Sequence, residues 1–433
     1  MIAALLVLMA GTLGVAILAL GKSRLGVVTL PFQAAVIYAI WLLPQLFAAL
    51  PAGLPPAGLG LLVGLAGGAL GMTALGWNLA RVSAAPPETL RMGALDRFGA
   101  LLGTAVALVL LAACVQIAIS NQPAANLASR QPSGLVTILR TLAALNPVAL
   151  FLAATLCLLR FNVLTAAVLA LALGCYGQEL VVQFKRTSVF EVVTALCLAL
   201  WAARGWAPPR RALLAVLPAA FLFVNVVHEV RRNSGYRVSA DGSATLVFPS
   251  WEDLARIDWI AVGRNRAGRD IYEVTNGALS LQGLFDGAQF GWGGHLWNAL
   301  VFRWVPGQFV GADTKAAMAF DLPRMSALVT QYGAEWKLGT TATGFAQPFA
   351  DFAFLGICVF ALNAWIVGRH LRRGLEGSLA DLSVVAPLLS AGVVSLTHEG
   401  YALLMILPLV LPLRWVLTRA LAAPEMPLRG VTA

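Results

Sequence analysis

The sequence predicts an all-α polytopic membrane protein, and three observations support that fold class. Of the 433 residues, 59% are hydrophobic and only 12% are charged, whereas a soluble globular domain carries about 25% charged residues. Apolar runs of at least about 18 residues recur along the chain, and each is long enough to cross roughly 30 Å of hydrocarbon as a helix. The five cysteines all lie inside these runs, without the spacing of a metal site or a disulfide framework.

Eleven candidate spans follow one another along the chain, and we interpret each as a transmembrane helix. The first lacks a basic n-region and a cleavage site, so we predict a retained span rather than a signal peptide. The fifth and sixth spans are separated only around Arg160 and Phe161, so they form either a hairpin or a broken helix. The spans cover roughly residues 2–20, 26–49, 59–80, 98–119, 138–159, 162–180, 188–204, 211–230, 346–367, 381–397 and 400–418.

The cationic residues orient these spans. Most of the loop arginines fall on one side if the first span starts outside, and the positive-inside rule makes that side the cytoplasm. The net charge of +10 is therefore an orientation signal, and nucleic acid is not a predicted partner. The residues on the predicted cytoplasmic side are Lys22, Arg24, Arg81, Arg91, Arg97, Arg160, Arg204, Arg210, Arg211, Arg369, Arg372, Arg373, Arg414 and Arg419.

One loop on the opposite side, residues 231–345, is far longer than the others. It contains six of the chain's twelve tryptophans, and loops of this length are usually functional or disordered. Aromatic residues mixed with glycine suit helices that lie at the membrane interface. We therefore divide the chain into helices 1–8 (1–230), a periplasmic loop subdomain (231–345), and helices 9–11 with a cytoplasmic tail (346–433).

The turn QFKRTS, Gln183–Ser188, departs from the charge pattern because it places two cations on the outer side. Arginine suits phosphate, because its planar guanidinium group donates two parallel hydrogen bonds. Further arginines occur along the long loop. We predict a phosphate-binding site at this level of the membrane; the alternative is that these cations anchor lipid headgroups or remain solvated. The candidates are Lys185, Arg186, Arg231, Arg232, Arg264, Arg266 and Arg303.

The last outer turn carries His398 and Glu399 between two spans. Ionisable groups at membrane depth are costly and often functional, and either residue could remove a proton from a sugar hydroxyl. The alternative is that both mark helix ends and meet water. We expect a surface-loop role for His295 and a solvated role for His370. Four scattered histidines argue against a transition-metal enzyme, and no metalloprotease, nucleotide-binding or serine-hydrolase motif occurs.

The layout resembles that of the bacterial O-antigen and exopolysaccharide polymerases of the Wzy type, which share an architecture with O-antigen ligases. Three stretches carry the resemblance: the basic turn Gln183–Ser188; Phe302–Phe309 with the downstream Lys315; and the Thr/Gly-rich Gly339–Phe345 continuing through Asp351–Gly356. This chain has Gly307 where the family often shows an arginine after the loop proline.

The resemblance implies a GT-C-like glycosyltransferase of the bacterial inner membrane, with its active site facing the periplasm. Its partners would be an undecaprenyl-diphosphate-linked oligosaccharide donor and acceptor and membrane lipid, with room for a protein that regulates chain length. The cations named above would stabilise the departing diphosphate, and His398 or Glu399 would be the base. No cofactor or metal is implied.

Three other functions remain open from the sequence. An O-antigen ligase would use the same donor, although its usual late-loop histidine is not clearly present. A transferase that uses polyprenyl-monophosphate sugars typically has acidic residues in its first outer loop, and residues 50–58 contain none. A transporter for polysaccharide or lipid would show ionisable residues or broken helices near mid-membrane, and few are found.

Overall fold

The computed structural model describes residues 1–22, 25–82, 94–121, 135–177, 179–180, 185–209, 235–238, 244–247, 250, 252, 255, 272–287, 290–336 and 340–421. These residues are mainly helical. The helices are α1 (Ile2–Lys22), α2 (Leu30–Ile37), α3 (Leu43–Ala49), α4 (Pro56–Leu79), α5 (Phe98–Ser120), α6 (Leu135–Leu142), α7 (Asn146–Leu159), α8 (Val163–Gly174), α9 (Arg186–Arg204), α10 (Tyr272–Gly287), α11 (Gly294–Trp304), α12 (Gly307–Val310), α13 (Ala312–Ala317), α14 (Met325–Thr330), α15 (Ala346–Phe352), α16 (Cys358–Leu375), α17 (Leu379–Ser383), α18 (Val385–Thr397) and α19 (Ala402–Ala420).

Within the described residues, nine helical stretches are long and apolar enough to cross a membrane, so the chain is a multi-pass membrane protein. They correspond to nine of the eleven predicted spans. The sixth predicted span, 162–180, is wrong in length: α8 has 12 residues, and at about 1.5 Å per residue it is too short to cross the hydrocarbon alone. The eighth predicted span, 211–230, lies outside the described residues.

Two short strands occur within the 231–345 loop, where the sequence predicts only helix. β1 (Gly235–Val238) pairs antiparallel with β2 (Ala244–Val247), and Gly235 lies opposite Val247. Both strands consist largely of residues that favour extended backbone, such as tyrosine, valine and threonine. This two-stranded ribbon is a local exception in a chain whose described residues are otherwise helical, so the predicted all-α class is confirmed.

Local sequence signals place several helix ends. Asn162 and Thr165 form a reciprocal capping box that begins α8, with N···O distances of 2.9 and 3.0 Å. Gly205 adopts a left-handed conformation with φ of 65° and ends α9, where a side chain would add strain. Lys185 immediately precedes α9, and Gly205 ends it.

Two hydrophobic clusters form the interior. The first combines α5, α7 and α9 with the helices α16 to α19. The second combines α1 to α4 with α10 and the segment around Phe345 and Phe349. Helix α10 belongs to the 231–345 loop, yet Gly58 of α4 donates its backbone N–H to Gln282 at 2.8 Å. This part of the loop therefore packs directly on the spans.

The two ends of the bundle differ in charge. At one end, Arg97 donates to the carbonyl of Leu421 at 2.7 Å, and Arg372 donates to the carbonyl of Ala80 at 3.4 Å. We call this the basic end. The opposite end, where the loop helices α10 and α11 meet the turn after α18, we call the insertion end. Arg97 and Arg372, which the sequence assigned to one side of the membrane, thus lie at the same end of the bundle.

Candidate functional site

The candidate site centres on the four-residue turn between α18 and α19. His398 and Glu399 both donate their backbone N–H to the carbonyl of Val394, at 2.8 and 3.2 Å. Gly400 packs against Gly344, and a side chain at either glycine would collide with backbone or proline atoms of the facing segment. The Thr/Gly-rich segment before α15 therefore packs against this turn. The backbones approach so closely at Gly344 and Gly400 that only glycine fits at either position.

His398 lies between an aromatic ring and a cation. Its imidazole stacks on Trp41 with ring centroids 6.0 Å apart, and its Nδ1 lies 2.6 Å from the hydroxyl of Thr397. Although part of the side chain remains exposed, desolvation by the surrounding protein and then the charge of Arg186 lower the pKa of His398 to about 4. The ring is therefore neutral at physiological pH.

Glu399 faces a different arginine. Burial raises the pKa of the Glu399 carboxyl above its ordinary value, and the positive charge of Arg303 opposes that rise. Burial also lowers the pKa of Arg303, while Glu399 raises it. Arg186 at the start of α9 and Arg303 in the last turn of α11 thus act electrostatically on the 398–399 turn from two separate elements. Two of the predicted phosphate-binding residues therefore influence the pKa values of the two predicted catalytic residues.

Lys185 forms an ion pair that the sequence interpretation did not anticipate. Its Nζ lies 2.8 Å from Oε1 of Glu179, and Ser188 also hydrogen-bonds this carboxylate. A second carboxylate, Glu191, accepts from the hydroxyl of Ser390 at 2.9 Å and interacts electrostatically with Lys185. The positive charge of Lys185 is therefore compensated by protein carboxylates, which reduces its capacity to bind a phosphate.

The two glutamates were missed by the sequence interpretation, although a signal was present. Glu179 and Glu191 are acidic residues within otherwise apolar predicted spans. Carboxylates at membrane depth are costly unless they are paired. That rule applied to these two positions would have predicted a cation or hydroxyl partner for each.

Asp351 positions the helix that carries Arg303. Its fully buried carboxylate accepts from the backbone N–H groups of His295 and Leu296, at 2.9 and 3.1 Å, within the first turn of α11. It also contacts His295 Nδ1 at 2.9 Å and accepts from the hydroxyl of Tyr401 at 2.7 Å. A carboxylate at a helix N-terminus satisfies free N–H groups and favours the helix dipole. Asp351 therefore joins the start of α11 to the turn that follows Glu399.

The far end of α11 is also attached to the span that follows this turn. The indole Nε1 of Trp304 donates to the carbonyl of Met405 at 2.9 Å. Lys315, which the resemblance singled out, donates to the carbonyl of Phe302 at 2.9 Å. These bonds orient the last turn of α11, where Arg303 lies.

Two histidine expectations are corrected by these contacts. His295 was expected in a surface loop, but its side chain is largely buried and contacts Asp351. His370 was expected to be solvated at the basic end, but it is buried and its Nδ1 lies 2.7 Å from Asp381. In both cases the carboxylate comes from a separate helix, 56 positions away for His295 and 11 for His370.

The remaining predicted phosphate-binding residues, Arg231, Arg232, Arg264 and Arg266, lie outside the described residues. Within the ranges that the structure covers, no three His, Cys, Asp or Glu side chains gather into a metal site. Neither a known protein family, nor a curated protein, nor a solved structure matches this chain. The geometry at the 398–399 turn combines a neutral imidazole, a carboxyl with a raised pKa and two guanidinium groups.

Proposed function

We propose that this chain is a glycosyltransferase that polymerises undecaprenyl-diphosphate-linked oligosaccharide repeat units at the periplasmic face of a bacterial inner membrane. The resemblance to the Wzy-type polymerases provides the reaction. The observation that supports it in the structure is the electrostatic interaction of Arg186 with His398 and of Arg303 with Glu399 at one end of the bundle. Two arginines beside a potential base are what transfer from a diphosphate leaving group requires.

In the proposed reaction, a hydroxyl oxygen of the acceptor repeat attacks the anomeric carbon of the donor chain. The bond between that carbon and the diphosphate oxygen breaks, and the lipid diphosphate leaves with the electron pair. The hydroxyl proton passes to a base. Glu399 is the better base of the two candidates, because its raised pKa lies closer to the working pH, whereas His398, with a pKa of about 4, accepts a proton weakly.

Arg186 and Arg303 would stabilise the negative charge that develops on the departing diphosphate. Both sit where surrounding protein excludes much of the water, so their interaction with an anion is stronger than in bulk solvent. Lys185, paired with Glu179, would hold the start of α9 rather than contact the diphosphate. His398 would orient the substrate beside Trp41.

The test compares arginines at the two ends of one helix. In a strain that lacks the gene, Arg186→Gln should reduce polymer formation by roughly a hundredfold, the usual effect of removing one group that stabilises developing charge. Arg204→Gln, at the opposite end of α9, should leave polymer length unchanged. Lipid-linked oligosaccharides are extracted and resolved by length, and protein amount is checked by immunoblot.

The pattern of products separates the alternatives. Accumulation of lipid-linked single repeats in Arg186→Gln supports a polymerase. Polymer of normal length that fails to reach its final lipid acceptor indicates a ligase. Normal polymer with normal attachment contradicts the proposal.

A further inference from the structure

A recess opens at the basic end, where α4 ends beside the second half of α16. It has a volume of about 290 Å³. The two helices pack closely, because Gly76 lies directly against the backbone of Ala361 with no room for a side chain. The residues that line the recess are Leu79, Ala80, Arg81, Trp365, Arg369 and Arg372.

The recess concentrates positive charge. The guanidinium of Arg369 lies over the ring of Trp365 at 5.0 Å. In the part of the chain that the structure describes, no hydrogen bond or ion pair is made by the side chains of Arg369 or Arg81. Arg372 donates once, to the carbonyl of Ala80, and its Nε lies 3.5 Å from the half-exposed carboxylate of Glu376. Among the described residues, three cations thus face one carboxylate, and most of their N–H groups have no acceptor there.

An apolar surface continues from the recess toward the middle of the bundle. Leu75 and Leu79 of α4 are 47% and 61% exposed, and Leu362 of α16 is 43% exposed. Leu75 and Leu79 are four residues apart, so they share one face of α4. Leu362 precedes Trp365 by three residues and Arg369 by seven, so these side chains share one face of α16. The cationic recess at the helix ends therefore borders a row of exposed leucines along α4 and α16.

From this arrangement we propose that the recess binds an anionic glycerophospholipid. The phosphate lies among Arg81, Arg369 and Arg372, and an acyl chain follows the exposed leucines. Arginine suits the phosphate because its planar fork donates paired hydrogen bonds. The leucines favour a lipid over free phosphate, since they offer an acyl chain a path that a soluble anion would not use. The recess lies at the opposite end from the candidate site, so the inference does not depend on the proposed glycosyltransferase activity.

The test measures lipid binding to the purified full chain in detergent by native mass spectrometry. Phosphatidylglycerol, phosphatidylcholine and glycerol 3-phosphate are titrated separately and then in competition. The wild-type protein should bind phosphatidylglycerol more tightly than phosphatidylcholine. Arg369→Gln and Arg81→Gln should each weaken phosphatidylglycerol binding roughly fivefold, the usual contribution of one cation near an anionic lipid surface.

A matched control is available at the same end. Arg419 lies over Trp415 at 4.9 Å, with the same four-residue spacing as the Arg369 pair, but neither residue lines the recess. Arg419→Gln should leave lipid binding unchanged.

Three outcomes would overturn the proposal: equal affinity for the two lipids, an Arg419→Gln effect as large as that of Arg369→Gln, or displacement of phosphatidylglycerol by glycerol 3-phosphate at equal concentration. If Arg369→Gln does not fold, Arg81→Gln carries the same comparison, because Arg81 is exposed just beyond the end of α4.

Discussion

Two buried aspartates, one at each end of the bundle, differ in how their charge is accommodated. Each has a histidine Nδ1 as a neighbour: His295 for Asp351 and His370 for Asp381. Asp381 also accepts two hydrogen bonds from Arg414, at 2.8 and 3.0 Å. Asp351 instead accepts from two backbone N–H groups and a tyrosine hydroxyl, and no described lysine or arginine hydrogen-bonds to it.

The difference shows where each end uses its cations. At the basic end, Arg414 neutralises Asp381 inside the protein. Together with His370, these contacts join α16, α17 and α19. At the insertion end, Asp351 is held by neutral dipoles and the start of a helix, so Arg186 and Arg303 are not needed for its neutralisation. Arg186 and Arg303 act electrostatically on the 398–399 turn, where the proposed substrate anion would lie.

Replacement of Asp351 or Asp381 by asparagine should have the largest effect on stability. These two variants test the comparison directly. Asp381→Asn leaves Arg414 without its charge partner and should reduce the free energy of unfolding by about 3 kcal/mol, as breaking a buried ion pair does. Asp351→Asn keeps one acceptor oxygen but turns an amide NH2 toward a donor, so about 1.5 kcal/mol is expected. The measurement is SDS-induced unfolding in mixed micelles followed by circular dichroism.

Asp321→Asn is the control for both variants, because Asp321 is exposed in a loop and should change stability by less than about 0.5 kcal/mol. If Asp351→Asn destabilises the protein as much as Asp381→Asn, the two carboxylates are not held in different ways.

Removal of a single hydroxyl should have a smaller effect. Tyr401→Phe removes one of the hydrogen bonds to Asp351 while retaining the buried ring, so a loss of about 1 kcal/mol is expected. Because the bond connects the 398–401 turn to α11, protection of the His295 and Leu296 amides from hydrogen exchange should also fall. Unchanged exchange at these amides would mean that the start of α11 is held without Tyr401.

The smallest effect concerns the titration of His398. Diethyl pyrocarbonate modifies only the neutral imidazole, so the rate at His398 should be half-maximal near pH 4, its lowered pKa. Arg186→Gln should raise that midpoint but leave it below the ordinary value of 6.5, because desolvation, the larger cause, remains. Arg204→Gln should not move the midpoint. If Arg186→Gln has the same midpoint as the wild type, Arg186 does not act on His398.

The same shift has a consequence for stability. Because the folded state holds the pKa of His398 below that of the unfolded chain, the unfolded chain binds more protons between pH 6.5 and about pH 4. The contribution of His398 to stability is therefore complete above pH 6.5 and decreases as the pH falls through this window.

The pattern of apolar runs predicted nine spans well, because transmembrane helices depend on local hydrophobicity over about 20 residues. The arginines of the basic end were assigned to a common face for a similar reason, since charge bias is a property of short loops. His398 and Glu399 were singled out because ionisable residues between two spans are conspicuous in an apolar sequence, and their catalytic role stays a prediction. The bounds of α8 were predicted incorrectly and the strand pair was not predicted, because short elements depend on tertiary packing.

Composition and local pattern were thus sufficient for the class of protein, for most of the helix positions and for the short turn between the last two spans. They could not pair Asp351 with His295 and Tyr401, Lys185 with Glu179, or Trp304 with Met405. These contacts join separate elements, and some link residues as far apart as 101 positions. Their geometry depends on how whole helices pack against each other, and no local periodicity encodes that packing.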